Sequence, residues 1–229
     1  MTWLNGLGLG ICLASVPLSA ARPGKSTFFW DNHAKFPDDL IQTNEAWSAV
    51  RSEMPDKSYR IAADDFELTE PTEITRITFF SVEVGTPNIL GGDWYIYEGG
   101  GEGPPGALVA AGGSASMKHF DSGIVNASFG TVYKNVVRPK DLILAPGHYF
   151  LAFRTYQTVD YSGDKNNNAA MTTRAAIGRS RAWWNFDVLG DGSVTGPWVL
   201  MERFNLWPDN EWSFRLHGRT LPALPRKHR

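Results

Sequence analysis

Two adjacent carboxylates, Asp64 and Asp65, stand near the start of the alternating run RIAADDFELTEPTEITRITFFSVEV. A carboxylate pair can hold a cation or carry acid–base chemistry, provided both groups aim at one point. Successive side chains on a strand leave from opposite faces. On a regular strand, therefore, Asp64 and Asp65 cannot share a target. If Phe66 points inward, Asp64 shares its side and Asp65 faces away. A buried Asp64 then needs partners. Backbone N–H groups where the strand begins would serve; so would a structural calcium shared with Asp209, because the first and last strands of a sandwich often neighbour each other. Asp64 and Asp209 are thus the candidate metal ligands, and the structural alternative for Asp64 is a hydrogen-bond acceptor.

Flat aromatic side chains are the second chemical resource. The chain has nine tryptophans, including the adjacent pair Trp183 and Trp184. On a strand only one of these faces the core, which leaves the other to stack on a sugar face or to be covered. Tyr95 and Tyr97 form a second pair, on one face of DWYIYEGG, with Trp94 and Ile96 on the other. Trp183, Trp184, Tyr95 and Tyr97 are the candidate ligand-binding residues, weighed against a plain core role.

No catalytic residue is assigned. Glu83, Glu98, Glu202 and Glu211 fall on or near strands without a Glu-x-Asp-x-Glu pattern, and Glu98 reads as a rim residue beside a glycine turn. A glycan hydrolase would need two carboxylates about 5 to 9.5 Å apart across a cleft. No Gly-x-Ser-x-Gly elbow occurs. His33, His119, His148 and His217 are dispersed without metal spacing. His148, just after a turn, reads as an exposed neutral imidazole. The oxygen-rich loops DVLGDGS and SGDKNNN lack EF-hand spacing.

The elements that must position these groups are strands. From Tyr59 onward, β-branched and aromatic runs alternate with Gly and Pro punctuation. Ile74 is out of phase with Ile77, which predicts a bulge near Thr75-Arg76. GGGEGPPG (99–106) is a turn cluster, and Pro146-Gly147 separates two strands. No run suits a long amphipathic helix. The pattern predicts an all-β chain: a single antiparallel β-sandwich of jelly-roll type with an irregular N-terminal arm. The expected organisation is a signal peptide over 1–21, an arm packed on the domain over 22–57, the sandwich over 58–218 and a flexible basic tail over 219–229.

The 229 residues are 42% hydrophobic and 20% charged, enough apolar content for a packed core. A net charge of −2 argues against a nucleic-acid partner. Residues 2–21 carry no charged side chain; an apolar stretch from Leu7 to Leu18 precedes Ser19-Ala20-Ala21, as in a secretory leader. It is too short to span a bilayer as a helix, and no other segment approaches that length. Cys12, the single cysteine, lies inside it. A mature chain without cysteine has no disulfide, thiolate–zinc or thiol chemistry, a habit that suggests a bacterial, extracellular protein.

Several stretches, taken in order, resemble a family of exported bacterial β-sandwich domains common among PEP-CTERM-type surface proteins. They are Trp30-Asp31-Asn32; Ala63 to Phe66 with Ile74, Ile77 and Phe79; Ile96 to Gly106; Leu144 to Leu151; and Asp209 to Gly218. The resemblance implies a fold and a location more than an activity. Proteins of that type usually end in a Pro-Glu-Pro motif, an apolar helix and a basic tail. This chain has LPALPRKHR instead, and the expectation is a released protein. The sequence therefore predicts a secreted, non-catalytic module that binds extracellular polysaccharide or cell-surface matrix through aromatics. The alternatives are a structural or adhesive surface protein without a small-molecule site and, third, a glycan-active hydrolase.

Overall fold

The computed structural model describes residues 27–31, 46–47, 50–52, 59–83, 89–114, 116–126, 130–157, 168–173, 182–187, 197–200 and 211–222. Among these the regular structure is entirely β. The strands are β1 (Thr27–Asp31), β2 (Ala46–Trp47), β3 (Val50–Ser52), β4 (Tyr59–Leu68), β5 (Thr72–Glu83), β6 (Ile89–Glu98), β7 (Leu108–Ser114) and β8 (Lys118–Asn126). They continue with β9 (Gly130–Val137), β10 (Leu142–Leu144), β11 (Gly147–Gln157), β12 (Asn168–Thr173), β13 (Trp183–Asp187), β14 (Trp198–Leu200), β15 (Glu211–Trp212) and β16 (Phe214–Thr220).

They form two sheets. One has seven strands in the order β14-β13-β4-β3-β11-β6-β7; the other has nine, built around β5, which pairs with β9, β10, β12 and β16. Pairing is antiparallel except where the short β3 runs parallel to β11. The main core lies between the sheets. Phe66, Ile96, Leu151 and Phe153 from the seven-stranded sheet meet Ile74, Ile77, Phe79, Phe214 and Leu216 from the other. Phe79 and Phe153 stack across the gap with ring centroids 4.7 Å apart, an arrangement worth about 1 kcal/mol beyond the area it buries.

Local chemistry explains several features. Along β5 the register with β16 slips, His217 pairing with Arg76 and Gly218 with Ile74, so Thr75 is the extra residue of a bulge. That extra residue brings both Ile74 and Ile77 into the core despite their spacing. The glycine cluster closes the β6–β7 hairpin, where the Glu98 N–H donates to the Ala107 carbonyl and the Gly106 N–H to that of Glu98. The Pro146-Gly147 turn does something else. β10 pairs with β5 in one sheet and β11 with β4 and β6 in the other, so this turn carries the chain across the core.

The segment expected as an arm supplies strands: β1 pairs with β16, β2 with β12, and β3 with both β4 and β11. β16 continues to Thr220, with Arg219 paired to Glu73, so the sheet extends into the stretch expected as tail. The leader-like residues 1–21 lie outside the described residues. Among the described residues, no helix is long and apolar enough to cross a membrane.

Candidate functional site

The strand that carries the two aspartates separates them as alternation requires. In β4, Ala62, Asp64 and Phe66 face the other sheet, while Ile61, Ala63 and Asp65 lie on the outer face. Asp64 is fully buried. Its Oδ1 accepts the N–H of Asp65 at 2.9 Å, and its Oδ2 accepts the N–H of Trp212 at 2.5 Å. Trp212, also fully buried, donates its indole Nε1–H to the Trp183 carbonyl at 2.9 Å. One tryptophan of β15 is therefore tied to β4 and β13 of the facing sheet by two hydrogen bonds. Asp64 is a carboxylate satisfied by backbone donors, the state in which a buried charge is tolerated. Asp209 lies outside the described residues. Among the described residues, no group of three or more His, Cys, Asp or Glu is placed to hold a metal ion.

The outer face of the seven-stranded sheet collects the aromatic candidates. Register places Ala63 between Trp183 of β13 and Ala152 of β11, and Ala152 opposite Tyr95 of β6; in the adjacent row Asp65, Phe150 and Tyr97 align. Tyr95 and Trp183, with Trp198 from β14, pack half-buried against Ile61, Ala63, Tyr97, Phe150 and Ala152. Tyr95 and Tyr97 stack with centroids 6.3 Å apart, and Trp198 meets the Tyr97 ring edge-on at 5.5 Å. Three of the four predicted aromatics, Tyr95, Tyr97 and Trp183, are thus brought to one surface. Trp184 lies in β13 opposite Ala62 and Val199 in register, and its side chain is outside the described set.

A polar frame borders this face. Arg154 of β11 is buried; its Nε–H donates to Asp93 Oδ2 at 2.9 Å and its Nη2–H to the Tyr95 hydroxyl at 3.0 Å. The guanidinium also lies 5.7 Å from the Tyr95 ring centre, within cation–π range. These contacts fix the plane of Tyr95. Burial first, then the neighbouring Tyr95 phenol, holds the Tyr97 hydroxyl protonated well above the ordinary phenol range, against the opposing pull of Arg154.

The remaining polar group corrects an expectation. His148 is 8% exposed rather than solvent-facing, and its Nε2 lies 2.6 Å from Asp65 Oδ2. An ionised carboxylate only accepts, so the proton of this bond is assigned to Nε2. Nδ1 is buried without a hydrogen-bond partner. The ring lies so close to Gly99 that a Cβ there would stand 2.2 Å from Nδ1. Both ring nitrogens are therefore closed off, one by Asp65 and one by Gly99. The pair clamps β4 to β11.

Arg154, Asp93, Phe150 and Trp198 were missed as members of this face. The signal for the β11 members was available: in HYFLAFR, His148, Phe150, Ala152 and Arg154 alternate onto one side. What joins that side to the Asp93-Tyr95-Tyr97 side of β6 is pairing register, which no local pattern encodes. Glu98, by contrast, is exposed at the end of β6 beside the glycine turn, as its neighbours suggested. In comparisons with known proteins, the chain matches no family profile and no curated protein.

Proposed function

We propose that this protein is a secreted, non-catalytic β-sandwich module of jelly-roll type that binds extracellular glycan or matrix through the aromatic outer face of its seven-stranded sheet. The observation that carries the reading is the gathering of Tyr95, Tyr97 and Trp183 on that face, with Tyr95 held by the buried Arg154–Asp93 pair. An aromatic ring already fixed by hydrogen bonding loses little freedom when a sugar stacks on it, which favours binding. The repeated passage of the chain from one sheet to the other (β4 to β5 to β6, and again β10 to β11 to β12) supports the jelly-roll topology. Location outside the cell rests on the leader-like N-terminus and on the resemblance to exported bacterial domains. A structural calcium at Asp64 and Asp209 belongs to the same proposal as an accessory ion, and Asp64's two backbone donors weigh against it.

Calorimetric titration with cellotriose and maltotriose tests the reading. Tyr95→Ala and Trp183→Ala should each weaken binding by roughly tenfold while leaving the unfolding transition cooperative. Absence of binding to both sugars, or equal affinity in both variants, would overturn it. A structural or adhesive role without a small-molecule site is the second reading. It is favoured by the depth of this face: Tyr97 is only 6% exposed and Phe150 is fully buried, as in a secondary core. Titrations silent for every sugar, together with large losses of stability in the aromatic variants, would select it.

A further inference from the structure

A second concavity lies away from the aromatic face, where the edge strand β7 of one sheet approaches the β9–β10 turn of the other. It is an open cleft of about 440 Å³, within the ~300–1,000 Å³ range of small-molecule sites. Trp94 and Leu142 are its buried apolar surface, and Gly112 forms part of the β7 wall. A Cβ at Gly112 would stand 2.5 Å from the Trp94 ring, so the absence of a side chain lets this wall lie directly on the indole. Arg138, Lys140 and Asp141, all exposed, form the opposite wall.

Two features distinguish this cleft from an ordinary seam between sheets. The first is charge. Arg138 and Lys140 have no carboxylate within ion-pair distance among the described residues. Arg138 also adds to a cationic neighbourhood: burial first, and then the charge of Arg138, makes the nearby Arg76 easier to deprotonate than an ordinary guanidinium. The second is backbone conformation. Asp141 has φ 52°, the left-handed region that a non-glycine residue adopts at a cost. Asp tolerates this conformation better than most side chains, and here it sets the course of the β9–β10 turn that carries the cationic wall.

We infer that this cleft binds an anionic sugar, with the carboxylate or sulfate at Arg138 and Lys140, the ring against the small residues Ala110, Ala111, Gly112 and Gly113 of the β7 wall, and a hydroxyl donating to Asp141. The choice of a sugar as the body that carries the anion rests on the glycan-binding reading above; the anion preference rests on the cleft alone. A guanidinium and an ammonium together on one wall suit a group with several acceptor oxygens. The single carboxylate at Asp141 selects against a ligand charged all round.

The test is titration of the whole protein, at low and at physiological salt, with trigalacturonate, a sulfated carrageenan oligosaccharide and neutral maltotriose. The expected result is binding of an anionic sugar that weakens as salt rises and falls by roughly tenfold or more in Arg138→Ala/Lys140→Ala. Both positions are exposed, so the double variant should fold, and its thermal unfolding checks this. Stronger binding of trigalacturonate assigns the carboxylate form, and stronger binding of the carrageenan assigns the sulfate form. Maltotriose binding that survives the double variant, with anionic sugars bound no better by wild type, overturns this inference and leaves the aromatic face standing. Anionic binding unchanged in the double variant also overturns it. Loss of maltotriose binding in Tyr95→Ala with anionic binding intact would separate the two sites and support both.

Discussion

The two faces of the seven-stranded sheet share one backbone and differ in chemistry. The inner face presents Phe66, Leu151 and Phe153 to the other sheet, and a carboxylate among them, Asp64, accepts two backbone N–H groups. The outer face is a mosaic of Tyr95, Tyr97 and Trp183 with an Arg154–Asp93 pair and an Asp65–His148 pair. Asp64 and Asp65 are consecutive, yet one joins two sheets and the other clamps two strands within one sheet. The difference teaches that two consecutive aspartates do not act as a pair. Each accepts hydrogen bonds of its own, on the side to which alternation sends it.

The largest effect should come from the inner face. Phe153→Ala removes a ring that is fully buried and stacked on Phe79, and should cost about 4 kcal/mol in urea unfolding. A loss below about 1 kcal/mol would mean that the sheets do not close on one another there.

Next comes the contrast between the aspartates. Asp64→Ala strands the Trp212 N–H in a dry interior and should cost about 3 kcal/mol. Asp65→Asn, which keeps an oxygen for His148, should cost about 1 kcal/mol. Unfolding midpoints with excess calcium and with EDTA sharpen the comparison. Equal midpoints are expected if Asp64 is only a hydrogen-bond acceptor. A calcium-induced rise that vanishes in Asp64→Ala would instead reveal a bound ion, because a ligand of the native state raises stability by mass action.

The smallest effect is a pH dependence confined to the outer face. Burial raises the Tyr97 phenol above its ordinary value of 10.0. The folded state therefore keeps this proton when the unfolded chain loses it. The contribution to stability is complete below pH 10.0 and declines as pH rises above that value toward the raised one. Tyr97→Phe should flatten that alkaline decline and leave stability at neutral pH within about 1 kcal/mol. An unchanged alkaline limb would show that other groups govern it.

Some of this was legible in one dimension. Alternation in DWYIYEGG put Trp94 and Ile96 opposite Tyr95 and Tyr97, and the out-of-phase Ile74 and Ile77 announced the bulge at Thr75. The glycine cluster announced the β6–β7 turn for the same reason: its residue types favour backbone conformations that strands do not use. His148 was misjudged because a position after a turn says nothing about what packs over it; Gly99 and Asp65 do. The Pro146-Gly147 turn was recognisable as a turn, but not as a passage between sheets, since a turn's chemistry does not name the partner of the strand that follows.

By itself, then, the sequence determined the all-β character of the described residues, the faces on which Asp64, Asp65, Tyr95 and Tyr97 stand along their own strands, and the positions of the main turns. These depend on neighbours in the chain, through side-chain alternation and backbone preference. Only the tertiary structure decided that the Trp212 N–H, 148 residues along the chain, meets Asp64. It also decided that Tyr95 shares a surface with Trp183, and that β7 meets the β9–β10 turn around a cationic cleft. Such contacts depend on which strands pair and in what register. That choice is made by burial summed over both sheets, and many pairings fit any one strand's local pattern equally well.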